Sequence, residues 1–268
     1  MTSRIKAEVS ESVGLIFVAE KEGIGRGTGF RVGNKYIMTC LHVVKDIIEV
    51  FKDECRIDCR KIEIRFGMVD PRATIIDQQT VFYFEPTLCQ HKEFDLAILE
   101  LKHEVGKSFP RQLTLSGSLN LPLPVHLIGH PGGVEMKEDS GVNLYDIQPN
   151  NDVDKYINEL SQWSMISLPG NKDYYSVLRD HPRKILFSTT FDEGSSGAPG
   201  IMIQHYKPYV VVMVSGAVPD CHYKNVCLVQ HEERIEFGYA MKDIGEEMDQ
   251  SSDENIRKIA AEIFSPTN

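Results

Sequence analysis

The sequence predicts an all-β protein made of a double β-barrel that is closed by one C-terminal helix. Short runs of β-branched and aromatic residues recur along the chain between Gly, Pro, Asn or Asp residues, a pattern typical of strands. Helical periodicity is confined to two segments. Residues 104–121 are richer in Ser, Gly, Pro and Lys, and they divide the strand runs into two halves. Many short strands with few helices favour barrels or sandwiches.

The first barrel is predicted over residues 12–106. Gly33 and Asn34 lie between two apolar runs, which is a good signal for a β-hairpin. The last run of this half opens on an acid, Asp95, and continues as an apolar strand. The predicted strands are Val13–Val18, Thr28–Val32, Lys35–Thr39, Ile62–Phe66, Thr80–Glu85 and Asp95–Leu101.

The second barrel is predicted over residues 121–242, with a long insertion at residues 134–183. Connections of this length usually serve as lids or are disordered. A weak helical pattern lies inside the insertion at Asp152–Trp163, and a stronger one spans residues 243–264. The whole chain, residues 1–268, is therefore interpreted as a single domain. The predicted strands are Val125–Gly129, Lys184–Thr190, Pro199–Ile203, Tyr209–Ser215 and Ile235–Ala240.

Length, composition and charge exclude several classes of protein. The 268 residues suffice for two small barrels, and 41% hydrophobic with 25% charged residues is ordinary for a globular chain. A formal net charge of -10 repels phosphate backbones, so direct nucleic-acid binding by this domain is not expected. The longest apolar run, Val210–Val214, is too short to span a bilayer, so no membrane association is expected.

The cysteines are interpreted as reduced thiols. Their even number permits disulfides, but the N-terminus lacks the apolar core of a signal peptide. We therefore expect an intracellular protein, nuclear or cytoplasmic rather than secreted, with thiols buried as small hydrophobic groups. Two sets of metal ligands remain conceivable, but neither has the paired short spacings of a zinc site, so no metal or cofactor is expected. These sets are Cys55 with Cys59, and Cys221 with His222 and Cys227.

Three short segments carry the residues of nucleophilic catalysis. His42 follows an apolar strand, Asp95 opens another strand, and Ser196 lies in a Gly-flanked turn before a third. Each feature alone is commonplace, as a packed histidine, a turn aspartate or a flexible loop. Together they occur in the order His, Asp, Ser, which is one of the known orders of a hydrolase triad. The sequence thus predicts a triad of His42, Asp95 and Ser196.

These segments resemble those of trypsin-like serine proteases of the chymotrypsin fold, and the resemblance covers nearly the whole chain. More specific motifs resemble the protease domain of the "family with sequence similarity 111" proteases of vertebrate nuclei. That resemblance implies a serine endopeptidase that acts on chromatin-associated proteins, including protein adducts on DNA, and that cleaves itself. The motifs lie at Ser12–Gly14, Thr39–Val43, Phe66–Gly67, Phe84–Pro86, Ile128–Pro131 and Ile235–Gly238.

The resemblance also assigns roles within the site. Ser196 would be the nucleophile, His42 the base that takes and returns its proton, and Asp95 the group that orients the imidazole. The backbone N–H groups of Gly194 and Ser196 would form the oxyanion hole. Ser195 stands where trypsin-type zymogens carry the Asp that pairs with a new N-terminus, so activation by that ion pair is not expected.

The specificity pocket is the least determined part of the predicted site. The resemblance places its base at Thr190 and its walls at Ser215, Gly216, Phe237 and Gly238. No acid occupies the base in this register, so we expect cleavage after apolar or aromatic residues. A slip of register toward the neighbouring acids at positions 192 and 193 would change that outcome, since a buried carboxylate selects Arg or Lys.

Two alternatives to a peptidase remain open. One is a catalytically silent trypsin-like fold that binds partner proteins through the same groove. The other is an assembly module in which the two predicted helices pair with a second subunit, for example in a homodimer. Of the remaining candidates, Cys40 is interpreted as a buried residue beneath His42 rather than a second nucleophile, and His130 as a structural residue.

Overall fold

Two antiparallel sheets dominate the fold. The computed structural model describes residues 3–21, 23–51, 54–67, 80–224 and 226–265. The first sheet has nine strands in the order β4-β5-β8-β9-β3-β2-β1-β6-β7. Its strands are β1 (Val13–Glu20), β2 (Gly23–Val32), β3 (Tyr36–Cys40), β4 (Ile48–Phe51), β5 (Glu54–Ile57), β6 (Ile62–Phe66), β7 (Val81–Phe82), β8 (Phe84–His91) and β9 (Leu96–Leu101).

The second sheet has seven strands in the order β10-β15-β14-β11-β12-β13-β16, and an additional β15–β16 pairing joins two of its members. Every pairing is antiparallel except that of β10 with β15. The strands are β10 (Thr114–Leu115), β11 (Leu123–Gly129), β12 (Lys137–Asp146), β13 (Lys184–Phe187), β14 (Pro199–Gln204), β15 (Lys207–Val218) and β16 (Ile235–Ala240). The all-β, two-barrel prediction is confirmed at this level.

Six α-helices occur in the described part of the chain. None of the helices in the described ranges is long and apolar enough to cross a membrane. The helix bounds are α1 (Ser3–Ser10), α2 (Leu41–Val44), α3 (Asp152–Ser167), α4 (Asp220–Tyr223), α5 (Met241–Asp249) and α6 (Glu254–Ile263).

The closing segment forms two helices rather than the single helix expected over residues 243–264. The break follows Gln250, and the side chain of Asp253 accepts a hydrogen bond from the Asn255 N–H, so Asp253 caps the second helix. Ile244 and Ile263, one from each helix, are buried in the main hydrophobic core, which contains residues of both sheets, such as Phe30 and Met213. Both helices therefore pack their apolar faces on the barrels, as the apolar periodicity predicts.

Residues 134–183 form ordered structure within the second sheet instead of a separate lid. Strand β12 pairs with β11 and β13, and helix α3 follows it. The helix buries Ile157 and Leu160 in a small core of its own, which also contains Tyr175 and Leu178. The sequence pattern locates α3 but misses β12, because β12 is mostly polar and half-exposed.

One pair of cysteines forms a disulfide, which corrects the prediction of reduced thiols. The turn of α4 brings the Cα atoms of Cys221 and Cys227 to 5.4 Å, a separation that a disulfide readily spans. The prediction of reduced thiols rests on the expected cellular compartment, which does not show that these two cysteines lie close together. The proposed ligand set that includes His222 loses both sulfurs to the disulfide. Free thiols remain at Cys40, Cys55, Cys59 and Cys89.

Candidate active site

The histidine and the aspartate of the predicted triad lie together at the ends of two paired strands. Strand β3 pairs with β9, and Cys40 faces Leu96 in that register. His42 therefore lies just beyond the end of β3, and Asp95 lies just before the start of β9. The His42 Nδ1 atom lies 2.6 Å from Asp95 Oδ2, and the His42 backbone N–H donates to Asp95 Oδ1 at 2.9 Å.

Asp95 is held as an acceptor by several donors. The Ser215 hydroxyl donates to Asp95 Oδ2 at 2.8 Å, on the same oxygen that faces the imidazole. Burial opposes ionisation of Asp95, but the hydrogen bonds from His42 and Ser215 outweigh it and keep the pKa of this carboxyl below its usual value. An ionised Asp95 fixes the proton of His42 on Nδ1 and leaves Nε2 available as a base.

Ser196 lies in a tight turn between the two sheets. Gly194 and Gly197 flank it with φ values of 87° and 88°, a region that favours glycine. The Ser196 carbonyl accepts from the Thr28 N–H at 2.9 Å, which joins the turn to the first sheet. The Ser196 hydroxyl donates to the Ser215 carbonyl at 3.2 Å rather than to His42. Residue Ser215 thus contacts Asp95 through its side chain and Ser196 through its backbone.

The predicted oxyanion-hole amides are oriented by a neighbouring turn. The Glu193 carbonyl accepts from the Gly132 N–H at 2.5 Å. Because a trans peptide points its carbonyl and its N–H in opposite directions, the Gly194 N–H points away from that turn. Within the described ranges, neither the Gly194 nor the Ser196 N–H donates a hydrogen bond. Both amides are therefore free to bind an anion.

A threonine relays hydrogen bonds to the same segment. The Thr28 hydroxyl accepts from the His130 N–H at 3.1 Å and donates to the Gly194 carbonyl at 2.8 Å. Thr28 itself is fully buried, which strengthens these bonds. The motif at Ile128–Pro131, which the sequence interpretation treats as structural, thus contacts residues 193–196, the segment that carries the predicted oxyanion-hole amides and that we call the oxyanion segment.

Replacing Thr28 by valine is expected to lower kcat for peptide hydrolysis by about tenfold, because both hydrogen bonds of its hydroxyl are lost and the Gly194 carbonyl and the His130 N–H are left unpaired. Valine keeps the shape of the side chain, so the fold should remain. Steady-state kinetics and a circular-dichroism melt measure the two effects separately. An unchanged kcat in a folded Thr28→Val variant would contradict this role of Thr28.

The other sequence candidates have no reactive form at neutral pH. Burial raises the pKa of the Cys40 thiol well above its usual range, and its Sγ donates to the Val214 carbonyl at 3.1 Å. Burial lowers the pKa of His130 to about 4, so this imidazole is neutral, and its Nδ1 lies 2.7 Å from the Val134 carbonyl. Neither side chain meets the requirement for a thiolate nucleophile or a general base.

One group of potential metal ligands occurs in the part of the chain that the structure describes. Cys40, His42 and Asp95 present ligand atoms within 4.8 Å of one another. The His42 and Asp95 atoms already form a hydrogen bond to each other, and the Cys40 thiol is protonated. This chemistry fits a proton-transfer pair rather than a cation site.

A cavity of about 170 Å³ opens beside Ser196, and we call it the Ser196 cavity. Apolar groups form much of its surface, among them Phe191, Val214 and Gly216. Polar groups also line it, among them Tyr223, from α4, and the buried Glu236, from β16. The charged residues Asp192, Glu193, Asp220 and Lys224 line it as well. The cavity has the size and lining of a site for one amino-acid side chain.

The residues predicted to form the specificity pocket do not all line the Ser196 cavity. Gly216 lines the Ser196 cavity, and the Phe237 ring packs against Gly216 so closely that a Cβ there would lie 2.9 Å from the ring. Thr190 is exposed, and its N–H and hydroxyl both donate to Asp139 at 2.7 and 3.0 Å. Gly238 pairs with Val214 inside the sheet.

The sequence interpretation misses Glu236 and Tyr223. The strand pairing explains the first omission, because Gly216 faces Phe237 and Ala217 faces Glu236. Successive residues of a strand point to opposite faces, so the side chains of Glu236 and Phe237 cannot share one face. An alternation argument applied to the motif at Ile235–Gly238 would have indicated the glutamate.

Glu236 is expected to make the free energy of unfolding depend on pH. Burial raises the pKa of this carboxyl from 4.5 to about 7, because the ionised form loses its hydration. A folded-state pKa above the unfolded value stabilises the fold fully below the unfolded pKa, and that stability is lost as pH rises toward the folded pKa. Below about pH 4.5 the carboxyl therefore supports the fold, and above about pH 7 its contribution is gone.

In Glu236→Gln this dependence is absent. The difference in unfolding free energy between variant and wild type should shift in favour of the variant by on the order of 1 kcal/mol per pH unit between the two pKa values. Urea unfolding at several pH values measures it, and the comparison cancels the titration of other groups such as His130. A difference that does not vary with pH would contradict the assignment.

Comparison with known proteins adds a second line of support. A family described as "Trypsin-like peptidase domain" matches residues 27–204. Human serine protease FAM111B is 27% identical over 208 residues, which cover 71% of this chain and 27% of the relative. Mouse serine protease FAM111A is 25% identical over 264 residues, which cover 91% of this chain and 40% of the relative. The chain thus spans well under half of the length of either relative.

Solved structures share the fold at low sequence identity. The active form of the Rv3671c protease of M. tuberculosis has a TM-score of 0.55 at 17% identity, covering 98% of this chain and 85% of that one. The thermostable serine protease AL20 of an extremophilic microorganism has a TM-score of 0.54 at 12% identity, covering 87% and 92%. The family match covers most of the chain, so the chain belongs to the trypsin-like peptidase family.

Proposed function

We propose that this domain hydrolyses peptide bonds through an acyl-enzyme on Ser196, with His42 as base and Asp95 as its orienting carboxylate. The observation that carries the proposal is the 2.6 Å contact of Asp95 with His42 Nδ1 beside the Gly-flanked turn of Ser196. The order and the chemistry of these groups match the template of the Ser-His-Asp hydrolases.

The first step is attack on the substrate carbonyl. A rotation about the Ser196 Cα–Cβ bond moves the hydroxyl from the Ser215 carbonyl toward His42 Nε2, which accepts its proton as the Oγ–C bond forms. The negative oxygen is bound by the N–H groups of Gly194 and Ser196. Protonated His42 then gives the proton to the leaving amine, and water hydrolyses the ester by the same steps in reverse.

We propose that the cleaved bond follows an apolar or aromatic residue. The Ser196 cavity supports this, since Phe191, Val214 and Gly216 offer apolar walls. The Glu236 carboxyl in the cavity already accepts a hydrogen bond on each oxygen, from Tyr223 and from Thr189. A carboxyl so engaged and so buried is a poor partner for a lysine or arginine side chain.

Hydrolysis of matched peptides that differ only at the residue before the scissile bond tests this proposal. Phe, Leu, Ala and Lys peptides are compared by kcat/KM, with a Ser196→Ala preparation as the control for contaminating proteases. We expect the Phe and Leu peptides to be cleaved best. A strong preference for the Lys peptide would reject the apolar pocket, and equal rates in the control would reject the peptidase.

The location, the substrates and the self-cleavage of this domain are proposed from its resemblance to the FAM111 proteases. We propose an intracellular domain, nuclear or cytoplasmic, that acts on chromatin-associated proteins and cleaves itself; the support is the set of shared motifs and the curated relatives. Intact-mass spectra of wild type and Ser196→Ala, recorded over time, test self-cleavage. We expect fragments in the wild-type spectra only. The absence of fragments from both proteins would contradict self-cleavage.

One observation favours a second candidate, a catalytically silent domain that binds partner proteins. The Ser196 hydroxyl donates to the Ser215 carbonyl, so the base and the nucleophile are not hydrogen-bonded. Under this alternative the peptide panel shows binding without cleavage. Sedimentation at several concentrations tests the remaining expectation, a homodimer.

A further inference from the structure

The outer wall of the Ser196 cavity is a short segment fixed at several points. Asp220, Tyr223 and Lys224 line the cavity, and they belong to α4 or follow it directly. The disulfide from Cys221 to Cys227 closes this segment into a small loop. Lys224 pairs with Asp220 at 2.6 Å, an ion pair that stays within the segment. Neither of these two links joins the wall to the rest of the cavity.

Glu236 supplies a link from the wall to the rest of the cavity. The Tyr223 hydroxyl donates to Glu236 Oε1 at 2.9 Å, and the Thr189 N–H donates to Glu236 Oε2 at 3.1 Å. Thr189 lies between β13 and the turn that carries Ser196, and its hydroxyl donates to Asp139. One buried carboxyl therefore connects the cavity wall, strand β16 and the segment that leads to the nucleophile.

We propose that Glu236 is a positioning residue that, through Tyr223, holds this wall in place and thereby determines which side chain the cavity accepts. The inference rests on the proposed peptidase function and names the residue pair behind its selectivity. Both carboxyl oxygens are engaged by internal donors, and the residue is only 3% exposed. A group with this geometry braces the cavity and does not act as a counter-ion for a substrate cation.

The charges around Glu236 agree with a brace. In the cavity wall, Asp220 forms ion pairs with Lys224 at 2.6 Å and with Lys172 at 3.6 Å. Asp192 and Glu193, in the segment before Ser196, line the cavity, and Arg234, just before β16, is a cation that acts on Glu236. Tyr223 is a titratable group that contacts Glu236 directly, and its hydroxyl donates a hydrogen bond to the carboxyl.

Two conservative variants test the proposal. Tyr223→Phe removes one hydroxyl and keeps the ring, while Glu236→Met keeps the length of the side chain and removes both acceptors. Each should lower the ratio of kcat/KM for a Phe peptide to that for an Ala peptide by about tenfold, as expected for one buried hydrogen bond. The double variant should lose no more than either single variant, because both remove the same link.

A second readout separates positioning from general damage. Labelling of Ser196 by a small fluorophosphonate needs the nucleophile but no side chain in the cavity, so its rate should stay within about twofold of wild type in both variants. The matched control is Tyr174→Phe, which removes a hydroxyl that donates to the Pro169 carbonyl at 2.8 Å in the insertion. That control should leave both the ratio and the labelling rate unchanged.

Three outcomes would overturn the proposal. They are an unchanged Phe/Ala ratio in the folded variants, a labelling rate that falls in parallel with the ratio, and a wild-type preference for Lys that Glu236→Met abolishes. Affinities of the Phe and Ala peptides for Ser196→Ala, with and without Tyr223→Phe, provide the same ratio without hydrolysis. Selective binding without any cleavage by wild type would reject the peptidase and retain the brace, so the two failures are distinguishable.

Discussion

Ser196→Ala is expected to lower kcat for peptide hydrolysis by roughly a millionfold, to the level that an oxyanion hole and binding alone can support. In the proposed mechanism this hydroxyl forms the bond to the substrate carbonyl. Cys40 is buried and protonated, so it provides no second nucleophile. The measurement is cleavage of a Phe peptide, with fluorophosphonate labelling as an independent readout.

The adjacent serine offers a matched control. Ser195 is 4% exposed, and its hydroxyl has no hydrogen-bond partner among the described residues. Ser195→Ala removes the same chemical group one residue away, and it should keep most of the activity, within about threefold. Activity that survives Ser196→Ala and vanishes in Ser195→Ala would contradict the assigned nucleophile.

The second large effect is expected at Gly194. A Cβ there would lie 2.5 Å from the Gly133 nitrogen and 2.7 Å from the His130 carbonyl oxygen, and the φ value of 87° adds strain. Gly194→Ala must therefore displace the loop and with it the N–H that is proposed to bind the oxyanion. Loss of one such donor lowers kcat by about 100- to 1,000-fold. Peptide kinetics measures the loss.

A second glycine separates strain from loss of the donor. Gly141 has a φ value of 77° and nothing within 4 Å of an added Cβ, so Gly141→Ala introduces similar backbone strain in open space. It should lower stability slightly and leave kcat within about twofold. Equal losses of kcat in the two variants would show that Gly194 has no special role in catalysis.

The strands and two of the site residues follow from local patterns. Apolar runs bounded by turn residues locate β1, β3, β9 and β15 because their side chains are buried on the sheet. The same rule brings His42 and Asp95 together, since each flanks a strand and the two strands pair. Strands β5 and β12 escape it because their mostly polar sequences lack the apolar run, and β4 escapes it because it is short and mostly exposed.

The parts that the sequence does not reveal depend on contacts between distant segments. The carbonyl of Glu193 meets the N–H of Gly132, and the hydroxyl of Thr28 meets the carbonyl of Gly194. No spacing rule connects these positions. Thr190, predicted as the base of the pocket, lies elsewhere for a related reason. Its hydrogen bonds to Asp139 on β12 direct it away from the cavity. Long-range pairing therefore decides the oxyanion segment and the cavity.

The central claim, that His42 oriented by Asp95 activates Ser196, is tested most directly by mapping a trapped covalent adduct. Wild type and Asp95→Asn are treated with a fluorophosphonate, and the modified peptide is identified by mass spectrometry. We expect one adduct, on Ser196, and labelling slower by about 10,000-fold when the imidazole loses its carboxylate. An adduct at another residue, or equal labelling rates in the two proteins, would contradict the account.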